Sequence, residues 1–258
     1  MNVMARDPKK ALVVIPTYNE IENLPELVEG VFQYLPECEV LIIDDDSPDG
    51  TGRWCEEYAR TDRRLTCLHR EEKLGLGSAL LAAMRFALEN DYTFTMTMDA
   101  DLSHPPRYLP DILAKIDATE KPQVDVVIGS RYIAGGTIRG WSFWRRLMSF
   151  AVNFFSRLLL GLKVRDCSSG FRCYRTKVLT RIDSGQIRSK GYSFEEEILW
   201  QLHRQGAQLA EIPFTFVDRG KGTTKISIKE AIAAGGVILV LALDRLSGCR
   251  RKQKTDPC

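Results

Sequence analysis

Histidine is scarce in this 258-residue chain: His69, His104 and His203 lie far apart. No Ser/His/Asp or Cys/His arrangement that would activate a nucleophile can be assembled from them. The glycine-rich dinucleotide fingerprint is missing as well. Gly75-Leu76-Gly77 is only a fragment of it, which argues against a nicotinamide enzyme. Seven cysteines (38, 55, 67, 167, 173, 249 and 258) show no metal-ligand spacing. An odd count without a framework points to free thiols in a reducing cytoplasm. Charge of one sign is lacking too: a net charge of +2 leaves no global field for nucleic acid. The longest apolar or glycine run, Ala231–Leu243, is shorter than the ~20 residues that span a bilayer. The opening MNVMARDPKK lacks the apolar core of a signal peptide. A soluble or peripheral protein is expected. No repeat or low-complexity segment interrupts the chain, so we expect one catalytic domain over 1–226 and a helical extension with a basic tail over 227–258.

What is present is an alternation of short apolar runs and amphipathic segments. Ala11–Ile15, Val40–Ile43, Leu65–His69, Tyr92–Met98 and Val124–Ile128 read as strands. Helical spacing is found at 24–35, 51–60, 76–89 and about 106–117. This pattern predicts an α/β fold with a mostly parallel sheet covered on both faces. Ligands in such sheets sit beyond the carboxyl ends of the strands. Pro16–Glu20, Asp44–Asp46, Asp99–Asp101 and Ser130-Arg131 all fall there.

Asp99-Ala100-Asp101 stands out. Side chains two apart on an extended chain share a side, and two hard oxygen ligands suit Mg²⁺ or Mn²⁺ carrying a diphosphate. The competing reading is a pair of turn and cap residues. Asp45 can accept hydrogen bonds from a nucleobase edge, Pro16 and Tyr18 offer a flat wall beside a base, and Glu20 can accept from ribose or base. Arg131 suits a phosphate or a surface ion pair. The loop Arg219–Lys225, with Gly220, Gly222 and Lys221, reads as a cationic lid or as an exposed turn. His104 is a second-layer group or a ligand. Trp141–Leu162 is a long apolar segment carrying Arg145, Arg146 and Arg157. It reads as a helix in the membrane interface, with Trp141, Phe143 and Trp144 in lipid, more readily than as a core helix. Ile228–Leu246 is a second apolar helix candidate. The tail Arg250-Arg251-Lys252 reads as a solvated face.

Together the blocks VVIPTYNE (13–20), IIDDDSPDGT (42–51), GLGSAL (75–80), MDADLSHPP (98–106), IGSRYIAGG (128–136) and SSGFRCYR (168–175) resemble the family 2 glycosyltransferases of the GT-A fold. More narrowly, they resemble the polyprenol-phosphate (dolichol-phosphate) mannosyltransferases. The resemblance runs from about residue 11 to 226. It implies that Pro16, Tyr18, Glu20, Ile43 and Asp45 hold the guanosine of GDP-mannose, and that Asp99, Ala100 and Asp101 meet the diphosphate and a divalent Mg²⁺ or Mn²⁺. Ser103 occupies a position where relatives often carry a glutamine metal ligand. Arg131, Arg145 and Ser149 match positions for the lipid phosphate, with Asp101, Arg131 and Arg145 carrying catalysis. Arg219 and Lys225 match a pair that closes on the nucleotide diphosphate; Thr224 stands where relatives often have serine. The implied reaction is inverting transfer of mannose to a polyprenyl phosphate by a peripheral protein on the cytoplasmic face of a membrane, with an unidentified membrane-protein partner allowed. Rival readings are a UDP-glucose-dependent glucosyltransferase, a non-catalytic sugar-nucleotide-binding subunit, and a lipid-surface scaffold using only the two apolar helices.

Overall fold

Each short apolar run becomes a strand whose alternate residues feed two opposite cores. In β1 (Ala11–Thr17), Leu12 and Val14 enter one cluster, while Val13 and Ile15 enter the other. This is the period-two geometry of an extended chain buried on both faces. The computed structural model describes residues 11–119, 121–189, 191, 193–218 and 235–245. The remaining strands are β2 (Glu39–Asp44), β3 (Leu65–His69), β4 (Phe94–Thr97), β5 (Val126–Ser130), β6 (Thr137–Arg139), β7 (Arg172–Arg175), β8 (Leu209–Pro213) and β9 (Thr215–Val217). The helices are α1 (Leu24–Tyr34), α2 (Thr51–Thr61), α3 (Leu76–Glu89), α4 (Leu109–Asp117), α5 (Phe143–Leu160) and α6 (Phe194–Arg204), with α7 over 235–245.

Seven strands form one sheet in the order β3-β2-β1-β4-β7-β5-β8. All run one way except β7, which is antiparallel to both β4 and β5. The expected mostly parallel α/β architecture is therefore present, with a reversed strand in its centre. A small parallel ribbon, β6 with β9, stands apart. Helices α3 and α6 cover one face, and α1 and α4 the other.

The sheet grows from β1 toward β2 and β3 on one side and toward β4 on the other. Such a reversal of direction opens a crevice at the carboxyl ends of the two central strands. The backbone is tight there. Asn19, Asp46 and Leu102 have φ of 58°, 55° and 63°. Leucine in the left-handed region is costly, and such strain collects at functional turns.

Several element limits differ from expectation. β4 stops at Thr97, so Asp99 and Asp101 sit on the turn that follows rather than on the strand itself. Residues 106–108 form a 3₁₀ turn ahead of α4. α5 begins at Phe143, with Ser142 Oγ accepting from Arg145 N at 3.4 Å, and Gly161 at φ 73° ends it. Trp141 precedes the helix and is buried, whereas Phe143 and Trp144 are each 71% exposed. The expectation that all three aromatics face lipid is thus corrected for Trp141: it packs on Phe216 at 5.1 Å. The expected domain boundary at 226/227, the loop Arg219–Lys225, the first part of the Ile228–Leu246 segment and the tail lie outside the described residues. No helix among the described residues is long and apolar enough to cross a membrane.

Candidate active site

The loops after β1 and β2 are laced together before they offer anything to a ligand. Glu20 N donates to Thr51 Oγ1 at 3.0 Å, Asn19 N to Ser47 Oγ at 2.9 Å, and Ile21 N to Asp49 Oδ2 at 3.1 Å. Asp44, fully buried, accepts from Thr17 Oγ1 at 2.9 Å and from Ser47 Oγ at 2.6 Å. It is the rivet between the loops. Asp45, next along, is paired with Arg70 and accepts from Gly75 N at 2.9 Å. Its carboxylate ties the end of β2 to the start of α3 at the spot assigned to the base. Pro16 stands opposite Ile43 in the strand register. The Ile43 side chain belongs to the core, so only its main chain is at hand for a ligand. The Lys73 ammonium lies 3.6 Å from the Tyr18 ring centre, and Glu20 Oε2 accepts from Asn23 Nδ2 at 3.0 Å.

Met98 N donates to Val14 O at 3.1 Å, which places the Asp99–Asp101 turn directly beside the end of β1. Asp101 is buried. Its Oδ1 accepts from Ser103 N at 3.1 Å and Ser103 Oγ at 2.5 Å. The Ser103 hydroxyl is thus spent on Asp101, and Ala100 packs in the core. The Asp99 side chain is about half exposed, while its N–H donates to His104 Nδ1 at 3.0 Å. That bond puts the imidazole proton on Nε2. Burial holds His104 below its usual range, and its ring stacks on Phe171 at 5.0 Å. His104 is the neutral prop under the turn. Among the described residues no group of three or more His, Cys, Asp or Glu is arranged around a metal position. Two carboxylates fit Mg²⁺ or Mn²⁺ when the ion's other ligands are substrate phosphates and water.

Arg131, just past β5, is buried and doubly bonded to Asp166: Nε to Oδ2 and Nη2 to Oδ1, both at 2.7 Å. The reading of Arg131 as a surface ion pair is overturned by that burial; it is a buried pair facing the site. Burial pulls the guanidinium down, yet the Asp166 charge and hydrogen bonds hold it above its ordinary value. Asp99 and Arg131 feel each other's charge, so the carboxylate turn and this arginine share one site. Ser149 accepts from Tyr132 Oη at 2.7 Å. Asn153, one helical turn on, donates to Ser149 O and Ser168 Oγ at 2.9 and 3.0 Å. Ser168 Oγ also accepts from Arg131 Nη2 at 2.8 Å. Arg145 reaches Asp218 at 2.9 Å, with its guanidinium 4.3 Å from the Trp141 ring centre.

An aromatic cluster packs beside Arg131 and the His104 prop. His104, Phe216 and Trp141 follow one another at 6.0 and 5.1 Å. Arg131 lies 5.6 Å from the Phe216 ring centre and 5.4 Å from that of Trp141. Trp141 Nε1 and Arg145 Nε are buried with no hydrogen-bond partner. Two orphan donors side by side are costly unless a ligand satisfies them. Trp141, Asp166, Asn153 and Phe216 were not foreseen as site residues. Only the blocks around 128–136 and 168–175 hinted at them, because their contacts span long stretches of sequence. Arg219 and Lys225 lie outside the described residues.

A model of glycosyl transferase family 2 matches residues 12–183. The chain is 42% identical over 231 residues to polyprenol monophosphomannose synthase of Mycolicibacterium smegmatis, covering 88% of this chain and 86% of that one. It is 41% identical over 218 residues to undecaprenyl-phosphate mannosyltransferase of Micrococcus luteus, covering 84% and 88%. Among solved structures, glucosyl-3-phosphoglycerate synthase of Mycobacterium tuberculosis with Mn²⁺, UDP and glucosyl-3-phosphoglycerate superposes with a TM-score of 0.63 at 20% identity, covering 92% of this chain and 80% of that one. A mannosyltransferase of Pyrobaculum calidifontis with GDP-mannose and Mn²⁺ gives 0.58 at 17% identity, covering 92% and 63%. At such identities the structural likeness is one of fold.

Proposed function

The chain belongs to glycosyltransferase family 2, and from that premise we propose that it transfers mannose from GDP-mannose to a polyprenyl phosphate, with inversion and with a divalent metal. The observation that carries the reading is the pairing of a carboxylate turn at the sheet crevice with arginines beside the Phe216 and Trp141 rings and a buried orphan N–H. Pro16, Tyr18, Glu20, the Ile43 main chain and Asp45 bind the guanosine, and Asp45 exchanges Arg70 for the base. Asp99 and Asp101 hold Mg²⁺ or Mn²⁺ beside the diphosphate, with Ala100 and Ser103 shaping the turn. When bound, the ion offsets charge developing on the leaving diphosphate. Arg219 and Lys225 close over the nucleotide.

A lipid phosphate is already anionic at neutral pH and needs no general base, in keeping with a site whose buried histidine is held neutral. Arg131, Arg145 and Ser149 orient it for attack on the anomeric carbon from the face opposite the leaving GDP. The exposed face of α5 rests on the cytoplasmic surface of the membrane that supplies the acceptor, with residues 1–226 as the catalytic unit and 227–258 as its extension. The test is a donor panel of GDP-mannose and UDP-glucose with polyprenyl phosphate, with and without Mn²⁺, the product read by NMR coupling. A β-linked mannosyl lipid formed only from GDP-mannose and only with metal is expected. An α-linkage removes single displacement, and transfer from UDP-glucose instead moves the reading to glucose.

A further inference from the structure

A second cluster of arginines sits away from the active site, around a cavity of about 680 Å³. It lies where the end of α6, the 3₁₀ turns at 176–186 and α7 meet. Arg181, Arg188 and Arg204 line it together with Trp200, Asp183 and Asp244. None of these residues belongs to the site described above. The volume is that of an ordinary small-molecule pocket.

The two acids do not neutralise the three bases. Asp183 turns back on its own loop, accepting from Gly185 N at 3.0 Å and Gln186 Nε2 at 2.5 Å. Asp244 pairs with Arg188 at 3.2 Å, both side chains about half exposed. That leaves Arg181 and Arg204 without a carboxylate partner in any ion pair among the described residues. The Arg204 guanidinium lies 4.6 Å from the Trp200 ring centre. Trp200 is 5% exposed, and its Nε1 is a buried donor with no partner. Arg181 and Arg204 are exposed, so both planar forks are open to a phosphate, with the Trp200 ring under Arg204. A neutral or cationic ligand would leave these groups as they are.

The position says where the phosphate comes from. Leu241 lines the cavity from the inner side of α7, while Leu239, Val240 and Leu243 on the same helix are exposed. Arg245 Nη1 donates to Leu159 O at 3.0 Å, fastening α7 to the end of α5, where Phe154, Phe155 and Leu158 are exposed. The cavity therefore lies one helix width from an apolar surface.

We propose that this cavity binds the phosphate of an anionic phospholipid headgroup, a lipid site separate from the acceptor site. The inference rests on the reading that α5 and α7 lie on a bilayer, not on the sugar chemistry. Lipid anchoring at that point would hold the acceptor pocket at a set height over the membrane.

The test is flotation of the full chain with vesicles of phosphatidylcholine alone and with phosphatidylglycerol added. Wild type is compared with Arg181→Gln/Arg204→Gln, with Trp200→Phe, and with Arg60→Gln/Arg63→Gln as a control of equal charge loss at exposed positions far from α7. We expect phosphatidylglycerol to strengthen binding of the wild type, and the cavity double variant to lose about ten-fold of that gain. The control should keep most of the gain, and Trp200→Phe should lose part of it. An unchanged thermal shift with GDP shows that each variant is folded. A cavity variant that falls no further than the control overturns the proposal, as does a wild type indifferent to phosphatidylglycerol. Loss of phosphatidylcholine binding alone would instead strike the bilayer reading. Thermal stabilisation by glycerol 3-phosphate or inorganic phosphate, lost in the cavity variants while vesicle binding stays intact, would assign the site to a soluble phosphate and overturn the lipid.

Discussion

Asp101 does two jobs with one carboxylate, and the two can be separated. Its Oδ1 fastens Ser103, a role that an amide oxygen also fills. Under the proposed function its charge serves the diphosphate and metal, which an amide cannot. Asp101→Asn should therefore keep its thermal midpoint and lose turnover by about a hundred-fold or more, since metal-borne charge stabilisation is worth several kcal/mol. Near-normal turnover would remove the metal from this turn. Under the proposed function Arg145 meets the acceptor, so Arg145→Ala should raise KM for the lipid about ten-fold while leaving KM for the donor within about two-fold. Trp141→Phe, which keeps the ring and deletes the orphan N–H, should do the same more mildly. Equal losses for both substrates would place these residues elsewhere. Glu196 gives a pH handle. Burial drives its carboxyl up to about 8, with nearby Glu195 and Asp166 adding to the rise and Arg172 opposing it. Its Oε2 has no partner. The folded state then keeps a proton that the unfolded state has released, so stability falls as pH climbs from 4.5 to about 8. Glu196→Gln should flatten that decline, which melting curves at about pH 5 and pH 8 would show.

At the scale of elements, packing behind the site controls its shape. A Cβ on Gly129 of β5 would lie 2.9 Å from the Phe171 ring and 3.3 Å from Phe171 O. Phe171 in turn carries His104, and His104 carries the Asp99 turn. Overpacking of this kind costs about 1–3 kcal/mol. Gly129→Ala should lower the urea midpoint and weaken metal-dependent GDP binding together; loss of stability with binding intact would uncouple β5 from the turn. This chain of contacts also explains what could be read beforehand. β1, β2 and β5 announce themselves by unbroken apolar runs, and the acidic turn by its place after the alternating, β-forming run 92–98. β7 gives no such sign: Arg172-Cys173-Tyr174-Arg175 looks like surface. Arg172 is nevertheless fully buried, its guanidinium used up by Ser169 O, Cys167 O, Glu195 O and the Glu195 carboxylate. A charged residue whose carboxylate partner lies 23 residues away on α6 cannot be recognised as core from its own neighbourhood. The Arg131–Asp166 pair, 35 residues apart, escaped notice for the same reason.

At the scale of the whole molecule, the site and the surface meet in one helix. Along α5, Arg145, Ser149 and Asn153 recur every fourth residue on the side that bonds Asp218, Tyr132 and Ser168. Phe150, Phe154 and Leu158 recur with the same spacing on a side that is exposed, the arrangement of an interfacial helix. Contiguous exposed aromatics on a chain of balanced charge need an explanation, and a bilayer that also delivers the acceptor satisfies both sides of the helix at once. Phe150→Ser/Phe154→Ser should then weaken flotation with phosphatidylcholine vesicles by about ten-fold or more, since each buried phenylalanine contributes about 1.5–3 kcal/mol. The thermal shift with GDP and metal should not change. Turnover should fall with a long-chain acceptor in vesicles and be preserved with a short, water-soluble polyprenyl phosphate, because the deleted groups touch the membrane and not the reacting phosphate. If both acceptors lose turnover equally, the aromatic face shapes the active site itself. If flotation is unaffected, the face is covered by protein rather than lipid, and the acceptor reaches Arg131 and Arg145 by another route.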